Sequence, residues 1–400
     1  MVADFKPCVL RGTVDAPPSK SMAHRYLIGA ALSGQRCTLM GVDYSEDILA
    51  SIDCLRALGA TVTTDGDTVV VDPNGFMTSE PCVLECRESG STLRFFIPLA
   101  LCSGKNITLR GSKRLFERPL DVYEELCRNR GFSFERGENS VNVCGALESG
   151  KYRIRGDVSS QFITGLRFAL IYLGGDSSIE IIPPFESRSY VDLTVSALRA
   201  FGADVAFTDE YRIAVKKSKM HSLSCRIEGD YSNAAFLDAF SHIGSEITVN
   251  NLKPDSLQGD RVYSEYFKRI SEGEPTLDIS DCPDLGPVLI ALAALKNGAA
   301  FTGTDRLKAK ESDRGAAMDR ELSKLGGGLV FGDNTITVPR QKLRYEGKII
   351  DGHNDHRIVM AMSVILSKTG GTIQGVEAVR KSYPGFFEDI KGLGANVELS

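Results

Sequence analysis

Apolar residues at helical spacing recur along the chain, and each run ends at a glycine that leads into a β-rich segment. The segments begin at residues 55 (LRALGATV), 126 (LCRNRGFSF), 198 (LRAFGADVAF), 322 (LSKLGGGLVF) and 390 (IKGLGANVEL), and a weaker copy begins at 267 (FKRISEGEPTLDI). Glycine just past a helix favours the left-handed C-cap conformation. The pattern therefore predicts six helix–glycine–strand joints, at Gly59, Gly131, Gly202, Gly273, Gly326 and Gly394.

The spacing of these glycines indicates an internal repeat. Successive differences in residue number are 72, 71, 71, 53 and 68. Such joints occur in any α/β protein, so it is the near-constant spacing that favours structural repeats. A second repeated motif supports the internal repeat. The segments GDVSS, from residue 156, and GDYSN, from residue 229, lie 73 residues apart, and each precedes a predicted apolar helix. Six units divide into three and three, which predicts one lobe at 18–227 and another at 1–17 plus 228–400.

Composition supports a two-domain globular protein and excludes some functions. The 400 residues exceed one ordinary core, 42% are hydrophobic and 25% are charged. The net charge of −5 argues against nucleic-acid binding, which needs a clearly basic face. The longest apolar run, 285–295, is too short to span a bilayer, and the N-terminus has no apolar signal core. We expect a cytoplasmic protein without membrane or nucleic-acid partners.

The ten cysteines predict buried, reduced thiols rather than zinc ligands or disulfides. No C-x-x-C pair occurs, and most of the cysteines lie within apolar runs. No metal site is visible in the sequence.

Several helices are predicted to open with small polar residues and a base, a pattern typical of anion sites. The unpaired amides and the positive dipole end of a first helical turn favour phosphate and carboxylate. After Pro17-Pro18, Ser19 is a candidate N-cap, and Ser21 and Arg25 lie four residues apart on one helix face, beside Lys20. A solvated helix surface is the simpler interpretation of a lone lysine there, but the clustered hydrogen-bond donors favour a ligand site.

Further helix starts in the first half repeat this arrangement. They are Gly90 in ESGSTLR with Arg94, Arg118 before Pro119, Ser159-Ser160-Gln161, and Ser187 in SRSY. Gly90 permits close approach of a ligand to the backbone. An N-cap with a surface-lying Arg94 is the simpler alternative for that segment, and a surface role is equally natural for Arg118.

The second half adds acids to the bases. Asp284 directly precedes an apolar helix, where an N-cap role is the alternative. Lys310 and Arg314 lie four residues apart with Glu311 between them. The other bases at helix entrances are His356, Arg357 and Lys381, and a structural role is the simpler explanation for His356. Walker, Rossmann, H-E-x-x-H and nucleophile-elbow motifs are absent from the sequence, so the anion sites are not those of an ordinary kinase or dehydrogenase.

Taken in order, these motifs resemble the signature set of the EPSP synthase family of enolpyruvyl transferases. The matching segments, from residue 17 to residue 387, are P-x-S-K-S-x-x-x-R, S-G-S-T-x-R, E-R-P, S-S-Q, K-E-S-D-R, N-D-H-R and K-S-Y-P. The resemblance implies an α/β fold of two domains (an inside-out α/β barrel), each built of three βαβαββ units.

The resemblance also implies two substrates and no cofactor. Shikimate 3-phosphate would be bound by Lys20, Ser21, Arg25, Ser159, Ser160, Gln161, Ser187, Asp284 and Lys310. Phosphoenolpyruvate would be bound by Lys20, Gly90, Arg118, Gln161, Arg314, Arg357 and Lys381. Asp284, Glu311 and Lys20 would be catalytic. The family loop often reads N-A-G-T, whereas here it is ESGS from 88, so Glu88 is left out of the site.

The chemistry of that reaction explains a basic pocket on an acidic protein. Two phosphates and two carboxylates bring about five to six negative charges together, and matching cations are needed to hold them in a partly dry site. The family reaction adds the 5-hydroxyl of shikimate 3-phosphate to C2 of phosphoenolpyruvate, with protonation at C3, and then eliminates phosphate. Asp284 is the candidate base and Glu311 the candidate acid at C3. Since the proposed ligands come from both predicted halves, closure of the two lobes is expected to assemble the site.

Two alternatives belong to different classes. A UDP-N-acetylglucosamine enolpyruvyl transferase would carry a reactive cysteine in a first-half loop, and residues 111–119 contain none. A non-catalytic polyanion-binding protein would not need Asp284 and Glu311 among its bases. A monomer is expected.

Overall fold

The computed structural model describes residues 1–77, 80 and 82–400, which form short strands in mixed sheets and helices packed against them. The strands, numbered in chain order, are β1 (Val2–Phe5), β2 (Arg11–Asp15), β3 (Cys37–Met40), β4 (Thr61–Asp65), β5 (Thr68–Asp72), β6 (Val83–Arg87), β7 (Ile107–Gly111), β8 (Ser133–Arg136), β9 (Ser140–Cys144), β10 (Lys151–Arg155), β11 (Ser177–Ile182), β12 (Asp204–Asp209), β13 (Arg212–Lys216), β14 (Ser224–Arg226), β15 (Glu246–Asn250), β16 (Thr276–Asp278), β17 (Ala299–Thr302), β18 (Val330–Gly332), β19 (Thr335–Val338), β20 (Ile350–Asp351), β21 (Gly371–Gln374) and β22 (Val397–Leu399).

The α-helices are α1 (Lys20–Leu32), α2 (Glu46–Ala57), α3 (Gly90–Leu101), α4 (Lys113–Glu117), α5 (Asp121–Arg130), α6 (Ser160–Leu173), α7 (Arg188–Ala200), α8 (Tyr231–His242), α9 (Tyr263–Glu272), α10 (Gly286–Leu295), α11 (Arg314–Lys324), α12 (His356–Thr369) and α13 (Phe386–Gly392). Short 3₁₀ turns span Gly259–Val262, Pro283–Leu285, Asp305–Ala309 and Val376–Lys381. Among the described residues, no helix is both long enough and apolar enough to cross a membrane.

The chain divides into two compact units. One, here called the terminal unit, comprises Met1–Pro17 and Gly229–Ser400, and the other, the central unit, comprises Pro18–Glu228. Each unit has its own hydrophobic core. The central core surrounds the apolar helices α3 and α6, and the terminal core surrounds α10 and α12. Helices that are buried on nearly all sides are mostly apolar all round.

Five four-stranded sheets share one pattern, in which a parallel pair is extended by an antiparallel hairpin. Their strand orders are β14-β3-β5-β4, β6-β7-β9-β8 and β10-β11-β13-β12 in the central unit, and β16-β17-β19-β18 and β20-β21-β1-β22 in the terminal unit. In the last sheet, strands from the two ends of the chain, β1 and β22, form the antiparallel pair. The predicted α/β fold of two domains is confirmed.

One sheet departs from the prediction that each domain has three βαβαββ units. This sheet holds only the parallel strands β2 and β15, and no hairpin completes it within the described part of the chain. Five of the six glycines have the predicted left-handed backbone conformation: Gly59, Gly131, Gly202, Gly326 and Gly394. Gly273 is instead extended, with φ −174°. An extended Gly273, followed by Pro275, carries the chain directly into β16 of the next sheet, which accounts for the short spacing of 53 residues.

Candidate active site

In the terminal unit, Asp284 lies at the centre of a cluster of cations. Its Oδ1 accepts hydrogen bonds from Lys310 Nζ and Arg314 Nη1, both at 2.9 Å. Its Oδ2 accepts one from Arg357 Nη2 at 3.2 Å, and its backbone carbonyl accepts one from Arg357 Nη1 at 3.0 Å. Asp284 stands in the 3₁₀ turn before α10, and no side-chain cap bond is made at that turn. The carboxylate therefore organises cations instead of capping a helix.

Arg314 connects this cluster to two further acids. It is the first residue of α11, and its side chain is only 1% exposed. Nη2 donates to Glu311 Oε2 at 2.6 Å, and Nε donates to Asp355 Oδ2 at 2.9 Å. Asp355 is fully buried, also accepts from Ser312 Oγ at 3.0 Å, and caps α12. Three acids thus hold one guanidinium in a fixed orientation.

These contacts control the protonation of the cluster. Burial raises the pKa of Asp284, but the charges of Arg357, Lys310 and Arg314 outweigh it and hold that pKa well below its usual range. Burial lowers the pKa of Lys310 to about 8, against the opposing attraction of Asp284. For Arg314, the neighbouring acids outweigh burial and raise the pKa. At neutral pH Asp284 is a carboxylate, and Lys310 titrates just above neutrality.

Two of the remaining bases of the terminal unit begin a buried helix, whereas Lys381, predicted at a helix entrance, is the last residue of the 3₁₀ turn Val376–Lys381. His356 and Arg357 begin α12, as the sequence predicts, and are 1% and 4% exposed. Arg357 also lies over the Phe236 ring, at 5.9 Å from its centroid. Lys381 is 9% exposed, and its Nζ donates to the Asn354 carbonyl at 2.6 Å. Asp284 therefore holds the Arg357 side chain, and the Asn354 carbonyl holds Lys381.

In the central unit, the first turn of α1 has the predicted cap. The Ser19 hydroxyl accepts from the Met22 amide. Lys20 Nζ pairs with Asp47 Oδ2 at 2.8 Å, and both side chains are largely buried. Asp47 lies in the first turn of α2, where a negative charge is favourable.

Arg25, one turn into α1, is held entirely by neutral groups. Nη1 donates to the Ser21 carbonyl at 2.6 Å, Nη2 to the Tyr190 carbonyl at 2.9 Å, and Nε to Thr194 Oγ1 at 2.8 Å. The residue is 3% exposed, and burial lowers the pKa of its guanidinium to about 10. Its charge has no carboxylate partner among these contacts.

Gly90 and Arg118 form a second cationic site, at the start of α3. A Cβ on Gly90 would lie 2.6 Å from Arg118 Nη1 and 2.8 Å from its Cζ, so only glycine lets the guanidinium lie against this backbone. Arg118 is 6% exposed, and its Nε is buried with no hydrogen-bond partner in the described part of the chain. A buried cation beside a helix N-terminus is an arrangement that favours an anion.

The starts of α6 and α7 contribute neutral donors. Ser159 caps α6 by accepting from the Gln161 amide, and Ser160 is buried. Gln161 Oε1 accepts from Arg94 Nη1 at 2.6 Å, and Gln161 Nε2 donates to Ser91 Oγ at 2.9 Å. Arg94 therefore lies buried beside the site rather than along the surface.

Ser187, just before α7, has φ 53° and ψ 44°. Left-handed backbone in a residue other than glycine is uncommon and often marks functional positions.

The structure also identifies acids that sequence reasoning missed. Asp47 and Asp355 are the ionic partners of Lys20 and Arg314, yet neither was among the candidate residues. Asp355 was visible within the NDHR segment, where its buried position before an apolar helix was the available signal. Asp47 had no comparable signal, because it is 27 residues from Lys20 and follows an ordinary helix start. Glu88 lies half-buried in the turn between β6 and α3.

Each of the ten cysteines is a thiol rather than half of a disulfide, as predicted. Five of them are buried, and the other five are partly exposed, fewer buried than the sequence suggested. In the described part of the chain, no group of three or more His, Cys, Asp or Glu side chains is placed to hold a metal ion.

The overall fold is that of the enolpyruvyl transferases. An EPSP synthase from Acinetobacter baumannii superposes with a TM-score of 0.79 at 21% identity, covering 100% of this chain and 99% of that one. The enolpyruvyl transferase NikO from Streptomyces tendae superposes with a TM-score of 0.74 at 13% identity, covering 99% and 98%. At these identities the likeness establishes the fold.

Sequence comparison identifies the family within that fold. The profile of EPSP synthase (3-phosphoshikimate 1-carboxyvinyltransferase) matches residues 6–390. A protein of that name from Clostridium kluyveri is 39% identical over 98% of this chain and 97% of its own length, and one from Clostridium botulinum is 36% identical over 98% and 96%. The chain belongs to the EPSP synthase family, as its motifs predicted, and its relatives are transferases.

Proposed function

We propose that this protein transfers the enolpyruvyl (carboxyvinyl) group of phosphoenolpyruvate to the 5-hydroxyl of shikimate 3-phosphate, giving 5-enolpyruvylshikimate 3-phosphate and phosphate. The observation that carries the proposal is the Asp284 cluster, in which an ionised base is surrounded by cations suited to phosphate and carboxylate. The names of the relatives support the same acceptor and the same transferred group, and they do not favour UDP-N-acetylglucosamine as acceptor.

The proposed steps use the acids and bases of the terminal unit. Asp284 takes the proton of the 5-hydroxyl as the hydroxyl oxygen bonds to C2 of phosphoenolpyruvate, and Glu311, which must be in its carboxylic acid form at this step, gives a proton to C3. The resulting tetrahedral ketal then loses phosphate from C2 while the Glu311 carboxylate removes a proton from C3, which restores the methylene. Lys20 and Lys310 stabilise the developing charges.

The low pKa of Asp284 fits this role once the substrates bind. Anionic substrates that engage Lys310, Arg314 and Arg357 draw those charges away from the carboxylate. The pKa of Asp284 then rises towards the range of a useful base. The same cations that keep Asp284 ionised without substrate thus make it more basic with substrate.

The binding roles are assigned by residue. Ser21, Arg25, Ser159, Ser160, Gln161 and Ser187 bind shikimate 3-phosphate together with Lys20, Asp284 and Lys310. Gly90, Arg118, Arg314, Arg357 and Lys381 bind phosphoenolpyruvate, with Lys20 and Gln161 close by. Since these residues come from both compact units, we propose that both units, as two lobes at 18–227 and 1–17 plus 228–400, are needed for activity. We further propose that the protein acts in the cytoplasm as a monomer and is a target of glyphosate.

Release of phosphate from phosphoenolpyruvate tests the proposal. We expect release that requires shikimate 3-phosphate and is not supported by shikimate or by UDP-N-acetylglucosamine. Release with the nucleotide sugar as acceptor would identify the other transferase. Binding of both compounds without any release would identify a polyanion-binding protein.

A further inference from the structure

Arg167 is a buried arginine that the proposed function does not use. It lies within the apolar helix α6 and is 0% exposed. Nη1 donates to the Val191 carbonyl at 2.9 Å, while Nε and Nη2 are buried without a hydrogen-bond partner in the described residues. An incompletely paired buried guanidinium is destabilising, so its presence calls for a function.

Arg167 and Arg25 contact the same turn of α7. Helices α1, α6 and α7 pack against one another. Arg25 on α1 donates to the Tyr190 carbonyl, and Arg167 on α6 donates to the carbonyl of the next residue, Val191. Two guanidinium groups therefore hold consecutive carbonyls in the first turn of α7.

A hydroxyl chain reinforces this junction. Thr164 Oγ1 on α6 lies 3.0 Å from Thr194 Oγ1 on α7, and Thr194 accepts from Arg25 Nε at 2.8 Å. The three helices are thus tied together by polar contacts around the two arginines. Movement of α7 would disturb both Arg25 and Ser187.

Both arginines carry their charge at neutral pH. Burial, together with the charge of Arg25, lowers the pKa of Arg167 to about 9, and Asp192 opposes this shift. Asp192 itself lies on the exposed side of α7, where its carboxylate is 3.8 Å from Arg188. The buried junction therefore holds two positive charges, and the acid that acts on Arg167 is shared with a surface arginine.

The helix geometry directs this charge towards the proposed phosphate site. Ser160, the first residue of α6, precedes Arg167 by seven residues, which is nearly two full turns, so both lie on one face. The axial separation is about 10 Å. Arg167 adds its field to that of the α6 N-terminus, where phosphate is proposed to bind.

We infer that Arg167 is a positioning residue for the phosphate of the acceptor substrate: it fixes the first turn of α7 beside Arg25 and places a second buried positive charge behind the phosphate. The inference rests on the proposed function, because it takes shikimate 3-phosphate as the ligand of Ser160, Ser187 and Arg25.

Arg167→Met tests the inference, because methionine keeps the length of the side chain and removes its charge. We expect the variant to fold and to show no lower thermal stability than the parent. Its affinity for shikimate 3-phosphate, measured by calorimetry without the donor, should fall about tenfold. Affinity for shikimate should be unchanged, so the preference for the phosphorylated ligand shrinks. KM for phosphoenolpyruvate should be unchanged.

Matched variants separate charge from structure. Arg153→Met removes an exposed arginine from the same unit and should leave both affinities unchanged. Arg167→Leu repeats the test with a different shape. Parental preference for shikimate 3-phosphate in Arg167→Met would overturn the inference, as would equal losses for both ligands or loss of folding in both Arg167 variants. If the parent itself does not bind shikimate 3-phosphate, the proposed function fails instead.

Discussion

Most buried cations have different kinds of partner in the two units; the exceptions are Lys20, which pairs with Asp47, and Lys381, which donates to the Asn354 carbonyl. In the terminal unit, Lys310, Arg314 and Arg357 are paired with carboxylates, chiefly that of Asp284. In the central unit, Arg25 and Arg167 are held by backbone carbonyls and hydroxyls. Arg118 has a buried Nε with no hydrogen-bond partner in the described residues.

Under the proposed function, this difference gives the two units different roles. Because no carboxylate pairs with Arg25 or Arg118 among the contacts described above, their charges suit the anion binding proposed for them. Acidic partners in the terminal unit compete with anions, and Asp284 and Glu311 among them are the groups proposed to move protons. The proposed reaction needs both anion binding and proton transfer.

The largest expected effect is from Asp284→Asn. Loss of the base should lower kcat by about 10² to 10⁴-fold. The same change removes an acid shared by three cations, although Arg314 keeps Glu311 and Asp355, so affinity for inorganic phosphate should rise. Phosphate release and calorimetry measure the two effects, and Asp255→Asn, at an exposed position, is the control. A variant that loses activity and phosphate affinity together would contradict these different roles.

Arg314→Met and Arg118→Met should differ in their effect on stability. Removal of Arg314 leaves buried acids unpaired, so the free energy of unfolding should fall by about 3–5 kcal/mol. Removal of Arg118 leaves no acid unpaired, so the free energy of unfolding should be unchanged or slightly higher. In Arg118→Met, KM for phosphoenolpyruvate should rise about 10 to 100-fold. Denaturant unfolding and steady-state kinetics test both; equal destabilisation would remove the contrast between the units.

Gly90→Ala should act through Arg118. The added methyl group would lie 2.6 Å from Arg118 Nη1, so the guanidinium has to move. We expect KM for phosphoenolpyruvate to rise about tenfold and inhibition by glyphosate to weaken, with affinity for shikimate 3-phosphate unchanged. Gly392→Ala, where the methyl group meets open space, is the control. If glyphosate inhibits Gly90→Ala as strongly as it inhibits the parent, Arg118 does not bind the donor substrate.

The smallest effect is expected from pH. Because the pKa of Lys310 is lowered to about 8, its positive charge is lost as pH rises through that value. The ratio kcat/KM for shikimate 3-phosphate should therefore decline above about pH 8. Lys310→Arg keeps its charge and should move that decline to higher pH. An unchanged profile in Lys310→Arg would assign the decline to another group.

Local sequence predicted the parts of the molecule that depend on near neighbours. Ser19 caps α1, and left-handed glycines close five of the six predicted joints. These features follow from backbone preferences and from periodic apolar positions. The exception is Gly273, where the apolar pattern resembles the other joints but the chain continues extended into β16.

The sequence by itself determined the α/β repeats, the helix starts that carry the bases, and the family. Only the tertiary structure decided which charges meet. The pairs Lys20–Asp47 and Arg314–Asp355 join residues 27 and 41 positions apart, and the Arg25 contact with Thr194 spans 169. Periodicity reports which face of a helix is buried, but the partner of a buried charge depends on how separate helices pack. That packing gives Arg25 and Arg167 carbonyl and hydroxyl partners, and it gives Arg314 and Arg357 carboxylate partners.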